Sequence, residues 1–199
     1  MEALPFSQAC ENNKAFILEA IKPHLQAVSR VLEIGSGTGQ HACYFAENLP
    51  ALVWQPTELD ANLVALEPRL RQYNGTNVCP ALALDVSQRP WPVVVPPAVF
   101  TANTLHIMPL LAVEALFAYL GEASAVGTTL LVYGPFNYEG RYTSASNASF
   151  DDWLRARDAR SAIRDFEYID ALARAAGYAL RQDQAMPANN RLLCWQRSV

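Results

Sequence analysis

Glycines fall on alternate positions at Gly35, Gly37 and Gly39, directly after an apolar run (Val31, Leu32, Ile34) that encloses one carboxylate, Glu33. Glycine reaches positive φ without steric cost and lets backbone come close to a ligand, so this spacing predicts a turn built to hold something. The run before it suits a buried strand. The periodic segment from Gln40 to Leu49 suits a helix whose first amides point at whatever the turn holds. Glu33 narrows the choice of ligand, because a carboxylate beside the turn repels phosphates and suits a cation. S-adenosylmethionine (SAM) fits, with a sulfonium, an amino group and no phosphate. The backbone of Gly35, Ser36, Gly37 and Gly39 would hold it. A dinucleotide fingerprint would need glycine where this chain has Gln40, and no Gly-Lys-Ser/Thr follows as a phosphate loop requires.

More polar residues fall where later strands should end. Glu58 follows Gly39 by 19 positions, close to the ~20-residue offset at which an acid accepts from ribose hydroxyls in nucleotide-binding sheets. Asp60 is a near-equal candidate for that work, and it could equally cap a helix starting at Asn62. Asp85, followed by Val86, suits a carboxylate that accepts from an adenine amino group, or else a turn aspartate. Asn103 and His106 follow the fourth strand, where methyl donor and acceptor would meet, so Asn103 is a candidate both for cofactor binding and for catalysis. His106 is a candidate general base, since an unperturbed imidazole titrates near pH 6.5. It could instead be a hydrogen-bonded structural histidine. Methyl transfer also proceeds by alignment alone, which is worth on the order of 7–11 kcal/mol. The Asn-Pro-Pro-aromatic pattern of nucleobase N-methylation is absent from the sequence, so a small-molecule acceptor is expected.

The elements that would position these residues alternate. Helical periodicity covers 12–28, with Pro23 splitting it near Lys22. Strands are predicted at 30–34, 51–55, 78–84, 98–102 and 128–133, and helices at 40–49, 62–73, 110–120 and 166–176. Two final strands, 178–183 and 191–196, flank Met186-Pro-Ala-Asn-Asn190 as a hairpin. Residues 134–151 have the composition of a long aromatic loop, which predicts a lid. The expectation is one α/β domain over 1–199. It holds a mostly parallel seven-stranded sheet, helices on both faces and an antiparallel C-terminal hairpin, the Rossmann-like architecture of class I SAM-dependent methyltransferases.

Composition sets outer bounds. The 199 residues are 51% hydrophobic and 17% charged, with a net charge of -4. That describes a globular chain without the basic stripe of a nucleic-acid binder. No apolar run approaches the ~20 residues of a membrane helix. No basic-then-apolar leader begins the chain, so the cytoplasm is expected. The four cysteines are scattered and the three histidines make no ligand-spaced cluster, so neither disulfides nor a metal is expected.

The chain also resembles a SAM-dependent methyltransferase-like family of unassigned substrate, the domain of unknown function 938, which includes a human methyltransferase-like protein. The resemblance runs through Asn13-Lys14, Glu33-Ile-Gly-Ser-Gly-Thr-Gly-Gln-His41, Trp54-Gln-Pro56, Leu84-Asp85-Val86 and Ala102-Asn-Thr-Leu-His-Ile107. It continues through Tyr133-Gly-Pro-Phe136, Ser146-Asn147, Phe150-Asp151, Ile163-Arg-Asp165 and Met186-Pro-Ala-Asn-Asn190. It implies the fold and SAM binding, and no substrate. Members often carry aspartate where this chain has Glu58. Asn13, Tyr133, Tyr142, Asn147, Asn189 and Asn190 are candidates for an acceptor pocket, with Arg141, Arg164 and Asp165 beside them in the shared motifs. Two other classes stay open: a SAM-binding module without turnover, and a nicotinamide-dependent oxidoreductase, against which Glu33 and Gln40 speak. The sequence leaves the oligomeric state open.

Overall fold

The structure, a computed structural model, describes residues 4–199. Among the described residues the strands are β1 (Arg30–Ile34), β2 (Val53–Glu58), β3 (Leu82–Ala83), β4 (Ala98–Ala102), β5 (Thr129–Gly134), β6 (Phe136–Asn137), β7 (Arg164–Asp165), β8 (Tyr178–Met186) and β9 (Asn190–Arg197). The α-helices among them are α1 (Gln8–Ile21), α2 (Gln40–Asn48), α3 (Leu63–Gln72), α4 (Leu110–Ala123), α5 (Ala145–Arg157) and α6 (Phe166–Ala175). The main sheet has seven strands in the order β3-β2-β1-β4-β5-β9-β8, and β6 and β7 form a separate parallel pair. The chain divides into two compact units, residues 1–101 and 102–199.

In the first unit β1 pairs in parallel with β2 and with β4. Val31, Leu32 and Ile34 are buried, as the near-continuous apolar run of a two-sided parallel strand requires. Phe45, Trp54 and Phe100 pack as one aromatic cluster, with ring centroids 5.4–5.9 Å apart. α1 starts at the capping hydroxyl of Ser7 and gives way at Lys22 to a 3-10 turn that contains Pro23. The helix predicted over 12–28 is therefore earlier and shorter, and its break is where proline requires it. β3 is only two residues long, with an isolated bridge from Val78 to Trp54. Pro80, which has no N–H to donate, interrupts the longer strand the sequence predicts.

In the second unit β9 pairs antiparallel with both β5 and β8. The turn at Pro187–Asn189 places Ala188 and Asn189 in the left-handed region, both with φ of 57°. Segment 134–151, predicted as irregular, instead holds β6, a tight turn with a bridge between Tyr138 and Arg141, and the start of α5. The reason it read as a loop is physical. α5 turns Asn147, Asp151 and Leu154 inward, so its buried stripe is largely polar and shows no hydrophobic period. Among the described residues no helix is long and apolar enough to cross a membrane, and no group of histidine, cysteine or acidic residues could hold a metal. All four cysteines are free thiols.

Candidate functional site

The glycine turn lies between β1 and α2. Gly35, Gly37 and Gly39 have φ of 72°, 55° and 74°, values that a side chain would strain. A Cβ on Gly37 would meet nothing within 4 Å, so this stretch of backbone has an open face. A Cβ on Gly39 would lie 2.9 Å from Leu66 Cδ1, so that glycine serves the close approach of α3. The two glycines thus do different work, one toward open space and one toward the core.

The turn is held from several directions. Ser36 N donates to Thr57 O at 2.8 Å, and Thr57 N donates to Ser36 Oγ at 3.2 Å. Gln40 accepts from Ser7 N, and its amide donates to Ser7 O and to Glu11 Oε2. Arg69 donates to Thr38 O and to Pro5 O, so its charge is spent on carbonyls. His41, stacked on Phe45, has Nε2 2.7 Å from Asn13 Oδ1. Burial, reinforced by Lys14, pushes that imidazole down to about 4. Asn13, a candidate for the acceptor pocket, is thus engaged by His41.

Glu58 bonds the turn directly: Gly37 N donates to Oε2 at 2.9 Å, while Leu59 N and Asn62 Nδ2 donate to Oε1. Leu84 N donates to Glu58 O, which brings Asp85 beside this strand end. Asp85 accepts from Ser87 N and Gln88 Nε2, a side-chain turn, and Val86 is buried next to it. Asp60 is exposed in a 3-10 turn over Asp60–Asn62, and α3 has no side-chain cap, so the capping role open to Asp60 is not the one it takes. Glu33 is 1% exposed, and its Oε2 accepts from Trp54 Nε1 at 2.8 Å. Burial lifts this carboxyl to about 7, against the bonds from Trp54 and Ser36, with help from the charge of Glu58. Glu33 faces the aromatic cluster, a location its sequence position did not reveal.

In the second unit, Asn103 has φ of 58° and donates its N–H to Tyr133 O at 2.8 Å. A Cβ on Gly134 would lie 3.6 Å from His106 Nδ1 and 3.9 Å from Asn103 Oδ1. Asn103, His106 and the end of β5, with buried Tyr133, therefore meet. The His106 ring is buried edge-on to Phe150, 5.4 Å between centroids. Burial, then the nearby Arg164 charge, lowers His106 to about 4, with Asp151 opposing. Arg164 donates to the carbonyls of Leu105, Met108 and Arg160 and so fixes the loop that carries His106.

A second cluster surrounds α5. Asp151 has a fully buried carboxylate that accepts from Tyr142 Oη, Arg155 Nε and Ile163 N. Burial alone would raise that carboxyl, but the bonds from Arg155, Ile163 and Tyr142 hold it below the ordinary range. Asn147 donates to Thr143 Oγ1 and Asn189 O, and Asn189 donates back to Ser146 Oγ. Asn190 bonds within its own turn, to Pro187 O and Ala188 O. The predicted polar set thus resolves into a His106–Asn103–Tyr133 group and a Tyr142–Asn147–Asn189 group, with Asn190 bracing the hairpin. Sequence reasoning gave Arg69 and Asn137 no role, and it left Arg164 among candidate pocket residues. An arginine bonded to carbonyls far along the chain leaves no local signal.

The strand order and the glycine turn define a Rossmann-like class I methyltransferase fold. The mitomycin 7-O-methyltransferase MmcR is similar, with a TM-score of 0.82 and 15% identity over 96% of this chain and 54% of that one. So are SibL, a SAM-dependent methyltransferase (0.78, 20%, 96% and 56%), and human N-acetylserotonin methyltransferase in complex with SAM (0.79, 14%, 96% and 53%). The chain spans about half the length of those proteins, and at such identity the likeness shows the fold. The chain belongs to the family described as "Protein of unknown function (DUF938)", which it matches over residues 4–197.

Proposed function

We propose that the protein transfers a methyl group from SAM to a small-molecule acceptor. The observation that carries this reading is the donor and acceptor set at the glycine turn. A left-handed glycine with an open face carries the Glu58 carboxylate on its amide, Asp85 lies beside it, and the neighbouring cation, Arg69, is already bonded to carbonyls. Such a set suits a nucleoside with a cationic tail and no phosphate. Glu58 would accept from the ribose hydroxyls, Asp85 from the adenine amino group, and the backbone at Ser36–Gly37 would lie against the tail. Bound there, SAM would supply a sulfonium-activated methyl group to the acceptor nucleophile and leave as S-adenosylhomocysteine, with any proton the acceptor loses passing to solvent.

Asn103, His106 and Tyr133 are assigned to the acceptor side. At neutral pH His106 is uncharged, and burial next to Arg164 makes it a poor proton store. Its work in this reading is to hold the acceptor by a hydrogen bond, and rate comes from alignment. Tyr142 lies in, and Asn147 just beyond, the turn at 138–143, the part of segment 134–151 that would close as a lid.

Thermal melting with S-adenosylhomocysteine tests cofactor binding. A ligand at a hundredfold excess over Kd adds about 2.7 kcal/mol to the native state. An unmoved Tm, in protein shown to be free of bound nucleoside, sinks the reading, and a shift with NAD in its place points to an oxidoreductase. Incubating radiolabelled SAM with pooled metabolites then tests turnover, and binding without any labelled product would mark a SAM-binding module.

A further inference from the structure

β6 and β7 place two hydrogen-bond acceptors side by side, and neither makes the bond its surroundings would lead one to expect. Asn137 is 9% exposed, and its Oδ1 is, among the described residues, a buried side-chain oxygen with no hydrogen-bond partner. Buried polar atoms are ordinarily paired, because an unmet acceptor keeps its full desolvation cost. Its register partner in the parallel ladder is Asp165. Paired positions share a face, with strands about 4.8 Å apart. Asp165 is the N-cap of α6, where an aspartate normally accepts from an amide of the first turn, yet its side chain makes no capping bond. Asp165 is also exposed. An amide oxygen and a carboxylate therefore stand together, each without its usual local donor.

Charge of both signs lies around them: the cavity that Asp165 lines also carries Arg155 and Arg160, which are paired with Asp151 and Asp158. Glu167 lies in the first turn of α6 and accepts from Glu139 N. Arg164 sits at the neighbouring ladder position, where alternation turns it to the other face, and it is bonded to three carbonyls. Arg191 is held by Asp183. Arg141, on the turn beyond Asn137, is exposed to solvent.

We propose that Asn137 and Asp165 form a subsite for a cationic N–H donor, a protonated amine, on the methyl acceptor. Asn137 Oδ1 accepts one N–H in the buried part of the subsite, and Asp165 supplies the countercharge at its mouth. β6 leaves the end of β5 through Pro135 alone. Three extended residues reach at most ~11 Å. Asn137 is thus within the length of a small molecule from Gly134, beside which Asn103 and His106 lie. The assignment of the amine to the methyl acceptor rests on the proposed function. The existence of the subsite does not.

The test uses three fluorinated probes of one shape, 4-fluorobenzylamine, 4-fluorobenzyl alcohol and 4-fluorobenzoate, followed by 19F line broadening on the whole protein. The amine should bind at least tenfold more tightly than the alcohol, and the benzoate least. Asp165→Asn and Asn137→Leu should each lower amine affinity severalfold or more. Asn137→Leu should leave Tm unchanged or raised, because it removes an unmet buried acceptor. The proposal is overturned if the amine fails to broaden at millimolar concentration, if the alcohol matches it, or if neither variant alters it. A lower Tm for Asn137→Leu with amine binding intact also overturns it, since Asn137 would then be structural. S-adenosylhomocysteine titrated into the same samples separates the two readings. Nucleoside binding without amine binding rejects the subsite alone, and the converse rejects the methyltransferase reading alone.

Discussion

The amide of Gly37 donates to the carboxylate of Glu58 across the mouth of the glycine turn at 2.9 Å. One side chain from the end of β2 thus fixes the orientation of the turn and keeps about one acceptor site for a ligand, because a carboxylate has about four such sites and Gly37, Leu59 and Asn62 take three. Glu58→Ala should weaken S-adenosylhomocysteine binding by roughly 1–3 kcal/mol, and Asp60→Ala by less, measured by calorimetric titration. The reverse ranking would move the ribose contact to Asp60. Asp85→Ala should lower affinity and also cost about 1 kcal/mol of stability, because Asp85 carries a turn of its own.

Gly37 tests the turn by conformation alone. Its φ is 55° and a Cβ there would touch nothing, so Gly37→Ala adds no clash within the chain. The left-handed conformation should cost about 1–2 kcal/mol of stability. Nucleoside affinity should fall well beyond that, because the methyl group occupies the open face. Affinity equal to wild type would reduce the glycine turn to a structural feature.

Glu33 gives a pH signature. Its carboxyl is raised from 4.5 to about 7 in the fold. Between those values the native state binds a proton that the unfolded chain has released, so this group's stabilisation is full below pH 4.5 and is lost as pH rises through 7. The loss amounts to roughly 3 kcal/mol. Glu33→Gln can still accept from Trp54 and never ionises. Its stability relative to wild type should therefore increase from pH 5 to pH 8, as followed by urea titration at each pH. A constant difference would mean that Glu33 does not titrate in that window. His41 and His106, both lowered to about 4, act with the opposite sign, and their contribution is lost as pH falls from 6.5 toward 4.

Asp151, in the middle of α5, ties the helix to the chain before it at Tyr142 and after it at Ile163. Asp151→Ala leaves the buried Ile163 amide unmet, while the exposed Arg155 turns to solvent, and should cost about 1–3 kcal/mol in chemical denaturation. A cost below 1 kcal/mol would show that water replaces the carboxylate.

The turn at 138–143 carries an exposed tryptic position, Arg141. If the turn closes on a ligand, cleavage there should slow with S-adenosylhomocysteine. Equal rates in both states would rule out the lid.

Elements governed by local pattern were legible. β4 runs over 98–102 as predicted, α2 starts directly after the third glycine, and the Met-Pro-Ala-Asn-Asn turn joins two antiparallel strands. Elements stabilised by distant partners were not. β2 extends through Pro56 to Glu58, past a residue that usually ends a central strand. α5 hides its inward face behind Asn147 and Asp151. The glycine turn was visible from its spacing, but whether Glu33 faces a ligand or the indole of Trp54 depends on an aromatic 21 positions away. Asn137 could not have been singled out, since its one distinction is a bond it does not make.

Ser7 and Glu11 grip Gln40, and Pro5 is held by the same arginine that holds Thr38. The first described residues are therefore a clasp on the glycine turn. For anyone engineering the protein, that clasp makes the stretch from Pro5 to Glu11 a handle on the glycine turn. Load applied through that stretch would pull on the clasp and, through it, on nucleoside affinity.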